Sequence, residues 1–324
     1  MSKHTDTIRS QIVVRLASGN FCSGEALGEE LGISRAAISG HIKTLTALGL
    51  DIFSVTGKGY KLAGALQLLD GVKIAALRAD NNPSVLEVLN VIDSTNQYLK
   101  GKLAQLDSGH ACIAEAQTAG RGRHGRTWVS PFGASLYLSI YWSFTGGYQV
   151  VGGLSLAVGV AVVSALTKSG VSDVQLKWPN DIYAQGKKLA GVLIEAEGQV
   201  GGVCECVLGI GLNIALPGNT SGIDQPWIDL AQLSSDEVDR NKLAAYLLEE
   251  LQITLEKFEE FGLEPFVETW RALDVYCDKP IKLSMGQKTI QGICRGINNS
   301  GALLLEADGE IRAYHGGEIS VRKA

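Results

Sequence analysis

Cysteine is sparse in this chain, at six among 324 residues. So few cysteines in so long a chain make no disulfide framework, and reduced thiols suit the cytoplasm. Histidine is scarcer still, at five. The histidines are scattered and no Ser/His/Asp or Cys/His order stands out, so no covalent nucleophile is indicated. Cys204 and Cys206 fall on one face of a strand run, but no second Cys/His pair lies near enough for a zinc site. No uninterrupted apolar run approaches the ~20 residues of a membrane span. The polar start, Met1–Thr7, lacks a signal-peptide core. A cytoplasmic protein without membrane contact is expected. Excess positive charge is also missing: 29 Lys and Arg against 34 Asp and Glu leave −5, which disfavours nucleic-acid binding over the whole surface. There are no repeats and no low-complexity stretch.

What is present is a globular composition, 45% hydrophobic and 19% charged. At ~100–200 residues per domain, two or three domains are expected. The charge is uneven: residues 1–62 carry +2 and the remainder −7. Ile8, Ile12 and Leu16 mark one helix face, ended by Gly19-Asn20. Ser23 and Ser34 are N-cap candidates for two more helices, separated by the tight turn Gly32-Ile33. The third helix buries Ile38, Ile42 and Leu45, shows Arg35, Ser39 and Lys43, and is closed by Gly49. Extended runs at Asp51–Val55 and Gly59–Leu62 follow. The pattern predicts a winged helix-turn-helix over 1–64.

Residues 63–80 are predicted as a linker. Strands are expected at Val85–Ile92 (buried), Cys112–Glu115, Ser135–Trp142 (with one wet face), Val174–Trp178, Leu189–Glu195 and Glu205–Gly211. A buried helix is expected at Gly152–Leu166 and an amphipathic one at Lys242–Phe258. Without strict βαβ alternation, this is a central α+β domain over 65–272. Four short runs, Pro280–Leu283, Thr289–Ile297, Leu303–Ala307 and Ile311–Tyr314, predict a small all-β barrel over 273–324.

Four segments carry chemistry. In Gln117-Thr118-Ala119-Gly120-Arg121-Gly122-Arg123-His124-Gly125-Arg126-Thr127-Trp128, glycines let backbone N–H groups approach a ligand and arginines supply fixed, charged forks. This suits a loop folded over a small anion. It is not a Walker A, since no Gly-Lys-Ser/Thr follows, nor a dinucleotide fingerprint, which needs a following helix. A basic surface loop is the plain alternative. Lys177-Trp178-Pro179-Asn180-Asp181 reads as a turn between strands, with Asp181 a hard-oxygen Mg²⁺ ligand candidate. Lys188 begins the strand Lys188-Leu189-Ala190-Gly191, where burial would demand an anionic partner; a solvated turn at Lys187-Lys188 is the simpler reading. Asp93-Ser94-Thr95-Asn96-Gln97 caps a helix beginning near Gln97 or presents hydroxyls and amides to a ligand. Gly209 and Gly211 lie in a strand, which points to close approach by a ligand or a backbone.

The Gly-Arg-Gly-Arg-x-Gly-Arg-x-Trp loop, the Lys-Trp-Pro-Asn-Asp turn and the Lys-Leu-Ala-Gly-x-Leu strand, in this order, resemble the biotin–protein ligases. With the winged head and the C-terminal barrel, the resemblance spans the chain and narrows to the bacterial ligases that also repress the biotin operon. It implies a class II synthetase-like mixed-sheet ligase domain and an SH3-like barrel. It further implies that biotin and MgATP give biotinyl-5′-AMP, from which biotin passes to a lysine of the biotin carboxyl carrier protein. By motif, Ser94, Thr95, Asn96, Gln117, Arg121, Gly122, Arg123 and Lys188 would meet biotin, and Lys188 and Arg123 would carry catalysis. Lys177, Asn180, Asp181, Trp227 and Arg322 would meet the nucleotide, with Lys282 less firmly placed and Asp181 nearest Mg²⁺. The polar stretch Leu216–Pro226 would be a second mobile cover, over adenine. Arg35, Ser39, Lys43 and, on the wing, Lys58 would contact operator DNA. One winged domain offers few contacts, so a homodimer promoted by biotinyl-5′-AMP as corepressor is expected, on a two-fold site. His124 departs from the arginine common at that position. Two other readings compete: a ligand-sensing repressor without ligase activity, and a lipoate or octanoate ligase.

Overall fold

The computed structural model describes residues 3–79, 84–198, 201–218, 220–234, 237–286, 288–316 and 319–323. Residues 1–2 of the polar start, 80 of the predicted linker and 219 of the predicted cover lie outside them.

Helices α1 (Lys3–Leu16), α2 (Gly24–Leu31) and α3 (Arg35–Ala47) bury Ile8, Ile12, Leu16, Leu27, Ile38, Ile42 and Leu45 in one small core. Ser23 accepts from the backbone N–H groups of Glu25 and Ala26, and Ser34 from that of Ala37, so both are the caps expected. Between them Gly32 takes φ +67°, a left-handed conformation that costs glycine little. The wing is the antiparallel hairpin β1 (Ile52–Val55) and β2 (Gly59–Leu62). Arg35, Lys43 and Lys58 are exposed and Ser39 is half-buried. The predicted linker contains a helix, α4 (Gly71–Leu77), capped by Asp70. At seven residues it is too short for a helical period to show.

The central sheet comprises β3 (Leu86–Ile92), β4 (Ala111–Gln117), β5 (Ser135–Thr145), β6 (Val174–Lys177), β7 (Asp181–Ala184), β8 (Lys187–Gly198) and β9 (Val203–Asn213). Their spatial order is β3-β4-β5-β9-β8-β7-β6. Only β3 and β4 run parallel. Helices α5 (Thr95–Lys100) and α6 (Leu154–Lys168) interrupt it, and α7 (Leu230–Leu233), α8 (Arg240–Phe261) and α9 (Val267–Leu273) follow. Two expectations change. Ser135–Trp142 has no wet face: all eight residues are buried, because β5 lies mid-sheet. Leu136, Leu138, Ile140 and Trp142 join the core with α6 and α8, while Tyr137 and Ser139 hydrogen-bond to Pro131 and to α5. The first strand, expected to be buried, is instead the half-buried edge β3. Residues 147–168 are long and apolar enough to cross a membrane by composition. The helix proper has 15 residues, eleven of them buried in the core, as befits the central helix of a globular domain.

The C-terminal sheet is antiparallel, in the order β13-β12-β11-β10-β14, from β10 (Pro280–Met285), β11 (Lys288–Ile297), β12 (Leu303–Ala307), β13 (Glu310–Tyr314) and β14 (Ile319–Lys323). Strand β14 adds to the four predicted runs. The Trp178 indole N–H donates to the Gly301 carbonyl (3.0 Å), joining this module to the site-bearing turn.

The head packs against the central sheet. The Phe132 N–H donates to the Leu48 carbonyl (2.9 Å) and Asn90 Nδ2 to Ser10 Oγ (2.7 Å). The segment after the head is strapped down by a buried pair, Arg240 with Glu115 (2.8 Å). Arg240 also donates to the carbonyls of Gln67 and Ser135, and Glu115 accepts from the Leu69 N–H. Two charges this deep persist because each is the other's counter-ion.

Helix α5 carries Thr95 and Asn96 at its start and is fixed further along by Glu87 on β3. The Glu87 carboxylate accepts from Tyr98 Oη (2.6 Å) and Lys102 Nζ (3.0 Å), and lies 3.0 Å from His110 Nε2. Burial pushes the Glu87 carboxyl up, but the hydrogen bonds from Tyr98, His110 and Lys102 and the Lys102 charge outweigh it and bring it to about 2. A carboxyl depressed in the fold stabilises above its unfolded value of 4.5, and that stability fades as pH falls towards 2. Wild type should therefore lose stability through this window, and Glu87→Gln should be destabilised at pH 7 by about 1–3 kcal/mol. The difference between the two should vanish near pH 2. Denaturant melts at pH 7, 4 and 2.5 measure it; a constant difference would contradict the assignment.

Candidate active site

A cavity of about 650 Å³ opens over the β9-β8-β7-β6 half of the sheet, within the size range of small-ligand sites. The strand register builds its floor. Gly211 on β9 lies opposite Gly191 on β8, Gly191 opposite Asp181 on β7, and Asp181 opposite Lys177 on β6. Residues directly opposite in antiparallel strands share a face, and strands lie ~4.8 Å apart. The row thus runs from a bare glycine floor to a carboxylate and then an ammonium.

The glycines are required by what lies on them. A Cβ at Gly211 would overlap the Trp128 indole, and one at Gly209, two residues along the same face, would overlap the Asn96 amide. Asn96 and its neighbours form a buried polar shelf at that end. Ser94, Thr95 and Asn96 are 3%, 3% and 4% exposed. Ser94 is the N-cap of α5, accepting from the Gln97 N–H, so the capping and site readings of this segment hold together. Gln117 Oε1 accepts from the Thr95 N–H (2.9 Å) and hydroxyl (3.2 Å), and Gln117 Nε2 donates to Ser130 Oγ (3.0 Å). The buried Ser139 hydroxyl lies 2.7 Å from Thr95 Oγ1 and 2.6 Å from Asn96 Oδ1, with one hydrogen to share between them.

Lys188 stands over the middle of the row. Its Nζ is 5.2 Å from the Trp128 ring centroid and 2.6 Å from Asp181 Oδ1. The side chain is 14% exposed, whereas Lys187 points to solvent. The solvated-turn reading therefore holds for Lys187 alone, and Lys188 has the anionic partner that its burial demands. Lys177 Nζ is 3.6 Å from Asp181 Oδ2 and donates to Tyr183 Oη (2.9 Å). Burial, then the Asp181 carboxylate, push the Tyr183 phenol up, against the opposing charge of Arg322.

The arginine loop closes one side. The Gly122 N–H donates to the Arg126 carbonyl (2.8 Å), Arg121 bridges Thr127, and His124 sits at φ +57°, so the backbone is a tight ring. Arg123 Nη1 donates to Asn180 Oδ1 (3.0 Å), and Asn180 Nδ2 in turn holds the Val192 carbonyl (2.6 Å). Burial lowers the Arg123 guanidinium, Asp181 opposes that, and Arg126 adds to it. Opposite, the Lys188 N–H donates to the Pro226 carbonyl and the Ile228 N–H to the Lys188 carbonyl (both 3.0 Å). The predicted cover thus ends against the backbone of the strand that carries the central lysine, and Gly222, Asp224 and Trp227 line the cavity.

Every biotin- and nucleotide-site candidate numbered from the sequence except Lys282 lines this one cavity: Ser94, Thr95, Asn96, Gln117, Arg121, Gly122, Arg123, Lys177, Asn180, Asp181, Lys188, Trp227 and Arg322. Lys282 pairs across strands with Arg322 and is not among the lining residues. Trp128, Ser130, Ser139 and Tyr183 carry no role in the sequence reading; only Trp128 was visible there, as the end of its motif. Among the described residues no cluster of three His, Cys, Asp or Glu could hold an ion. Asp181 and Asp224 are the acids lining the cavity, a donor set that suits Mg²⁺ arriving on a nucleotide, which needs only one or two carboxylates.

Sequence comparison agrees with this architecture. A model of the biotin/lipoate A/B protein ligase family matches residues 88–213, an HTH domain model 8–61, and a biotin protein ligase C-terminal domain model 276–322. The bifunctional ligase/repressor BirA of Escherichia coli (strain K12) is 48% identical over 98% of both chains. That of Bacillus subtilis (strain 168) is 28% identical over 94% of this chain and 95% of its own. Among solved structures, a biotin protein ligase from Aquifex aeolicus in complex with biotin and ATP superposes with a TM-score of 0.65. It is 29% identical and covers 74% of this chain and 99% of its own.

Proposed function

This chain belongs to the bifunctional biotin protein ligase/repressor family, and from that membership we propose how its site performs ligation and how its head uses the product. The chain is an ATP-dependent biotin–protein ligase. A biotin carboxylate oxygen attacks the α-phosphorus of ATP, the bond to pyrophosphate breaks, and biotinyl-5′-AMP forms. The carrier lysine's amine then attacks the acyl carbon, AMP leaves, the amine loses a proton, and an amide remains.

The observation that carries this reading is the order of groups along the row. The buried shelf of Thr95, Asn96, Gln117 and Ser139 suits a flat polar head such as a ureido ring. The Trp128 indole on Gly211 offers an apolar wall for the ring and tail. Lys188 follows, where the carboxylate ends, and beyond it lie Asp181, Lys177 and Arg322 for the nucleotide. Bringing a carboxylate onto a phosphate sets two anions together; Lys188 and Arg123 neutralise the charge that builds up. Asn180 holds the nucleotide side of the loop, and Trp227 covers the base. Asp181, paired with Lys177 and Lys188, would hold the Mg²⁺ that arrives on ATP, and that ion would screen the phosphate charge. The loop of Arg121, Gly122 and Arg123 keeps water from the mixed anhydride.

The chain divides at about residues 64 and 272 into head, ligase and barrel. In the cytoplasm, biotin passes to the carboxyl carrier protein. When acceptor is scarce, biotinyl-5′-AMP accumulates as corepressor, the chain forms a homodimer, and Arg35, Ser39, Lys43 and Lys58 meet operator DNA. Labelled biotin, MgATP and a purified carrier domain test the enzyme. ATP-dependent labelling that lipoate does not compete away is the expected result. Biotin binding without labelling would leave a sensor-repressor, and competition by lipoate would shift the substrate class.

A further inference from the structure

The geometry points to Glu195 as a positioning residue that anchors the arginine loop to α5; the inference rests on the ligase reading above. Glu195 lies on β8 with its side chain 16% exposed. Its Oε1 is 3.2 Å from Lys100 Nζ and 3.3 Å from Arg121 Nη1, and its Oε2 accepts from Asn96 Nδ2 at 3.0 Å. One carboxylate thus touches the loop, the body of α5 and the polar shelf. Arg121 Nη1 also donates to Gln97 Oε1 (3.2 Å), so its fork is held on two sides.

Two consequences follow from the chemistry of the group. A carboxylate only accepts, so it fixes the Asn96 amide with Nδ2 towards β8 and Oδ1 towards Ser139 and the ligand. It is also the anion that holds Arg121, whose guanidinium is otherwise half-exposed. The far side of the loop has an independent tether, Arg123 on Asn180. Glu195 therefore secures the loop near its first residue, Arg123 in the middle.

Glu195→Gln keeps the size and an acceptor but removes the charge. In the variant, dissociation of bound biotinyl-5′-AMP should quicken about three- to fivefold and the KM for biotin should rise about twofold, the scale of a partly exposed ion pair. The rate of adenylation at saturating biotin and ATP, and the thermal midpoint, should stay close to wild type. Arg121→Gln should quicken dissociation at least as much, because it breaks the Gln97 contact as well, and the double variant should fall short of the product of the two single effects, because the Glu195 link is shared. Trypsin gives a readout without ligand or activity: cleavage within 121–126 should be several times faster in Glu195→Gln, with other sites unchanged. Unchanged loop cleavage and unchanged dissociation would overturn the proposal. Faster cleavage throughout the chain, with kcat and stability falling together, would overturn it too, since Glu195 would then be merely structural. If the intact chain forms no adenylate, it is the ligase reading that fails, and the trypsin comparison still decides whether Glu195 anchors the loop.

Discussion

Lys188→Ala is expected to lower the rate of biotin adenylation roughly 10²–10³-fold, the usual cost of deleting one preorganised charge at a reacting centre. Lys188 lies over the Trp128 indole and reaches Asp181 at 2.6 Å. Its removal takes a positive charge from where carboxylate and phosphate meet. It also takes from the Asp181 carboxylate its nearest counter-charge, leaving Lys177 at 3.6 Å and the Arg123 guanidinium to offset it. Both changes raise the barrier. The strand should survive, because the Lys188 backbone bonds to Pro226 and Ile228 do not involve the side chain. The thermal midpoint should therefore move by a few degrees at most, the shift expected for about 1 kcal/mol in a chain of this length. Pyrophosphate release at saturating biotin and MgATP gives the rate. A loss smaller than tenfold would show that the reacting anions sit elsewhere in the cavity.

The parts of this site that were legible in the sequence are those where chemistry and backbone demand coincide. The arginine loop turns at Gly125, whose φ of +70° favours glycine, and a Cβ at Gly120 would overlap the Trp128 carbonyl, so the motif is dense and visible. Gly209 and Gly211 stood out as glycines in a strand, and the structure gives the reason: the Asn96 amide and the Trp128 indole lie on them. Lys188 was ambiguous because two adjacent lysines alternate across a strand, and nothing local says which one turns inward. The register with Asp181 and Trp128 decides it, and register is a property of the sheet. Ser139 and Glu195 were invisible for the same reason. A serine in the middle of β5 reads as a polar face until α5 is seen to cover it, and a glutamate among strand residues reads as solvated until Arg121 reaches it from another segment. The head was legible because its signals are local: caps, a left-handed glycine, and a helical period. Helix α4 escaped because seven residues are too few for a helical period to show, and strand β14 because Ile319–Lys323 holds only two apolar residues.

Arg123→Gly should separate making the intermediate from keeping it. Arg123 donates to Asn180 at 3.0 Å, and Asn180 holds the β8 carbonyl of Val192. The loop is thereby tied to the strand that presents Lys188. Glycine removes this charged hydrogen bond, typically about 1.5–3 kcal/mol, and gives the open loop more conformations to lose on closing. Dissociation of biotinyl-5′-AMP should then accelerate about 10–100-fold, at a tenfold change per 1.4 kcal/mol. Adenylation should fall less, because Lys188 and Lys177 remain in place. The released mixed anhydride is an acylating agent with no further need of the protein. Lysines of a bystander such as serum albumin should become biotinylated in the presence of the variant, and not in the presence of the intact chain. Binding of labelled adenylate gives the dissociation rate, and streptavidin blotting of the mixture gives the acceptor range. Unchanged retention, with labelling confined to the carrier, would mean that the loop closes without Arg123. Faster dissociation with equally depressed adenylation would instead show that Arg123 neutralises charge in the first step as strongly as Lys188, not mainly by closing the loop.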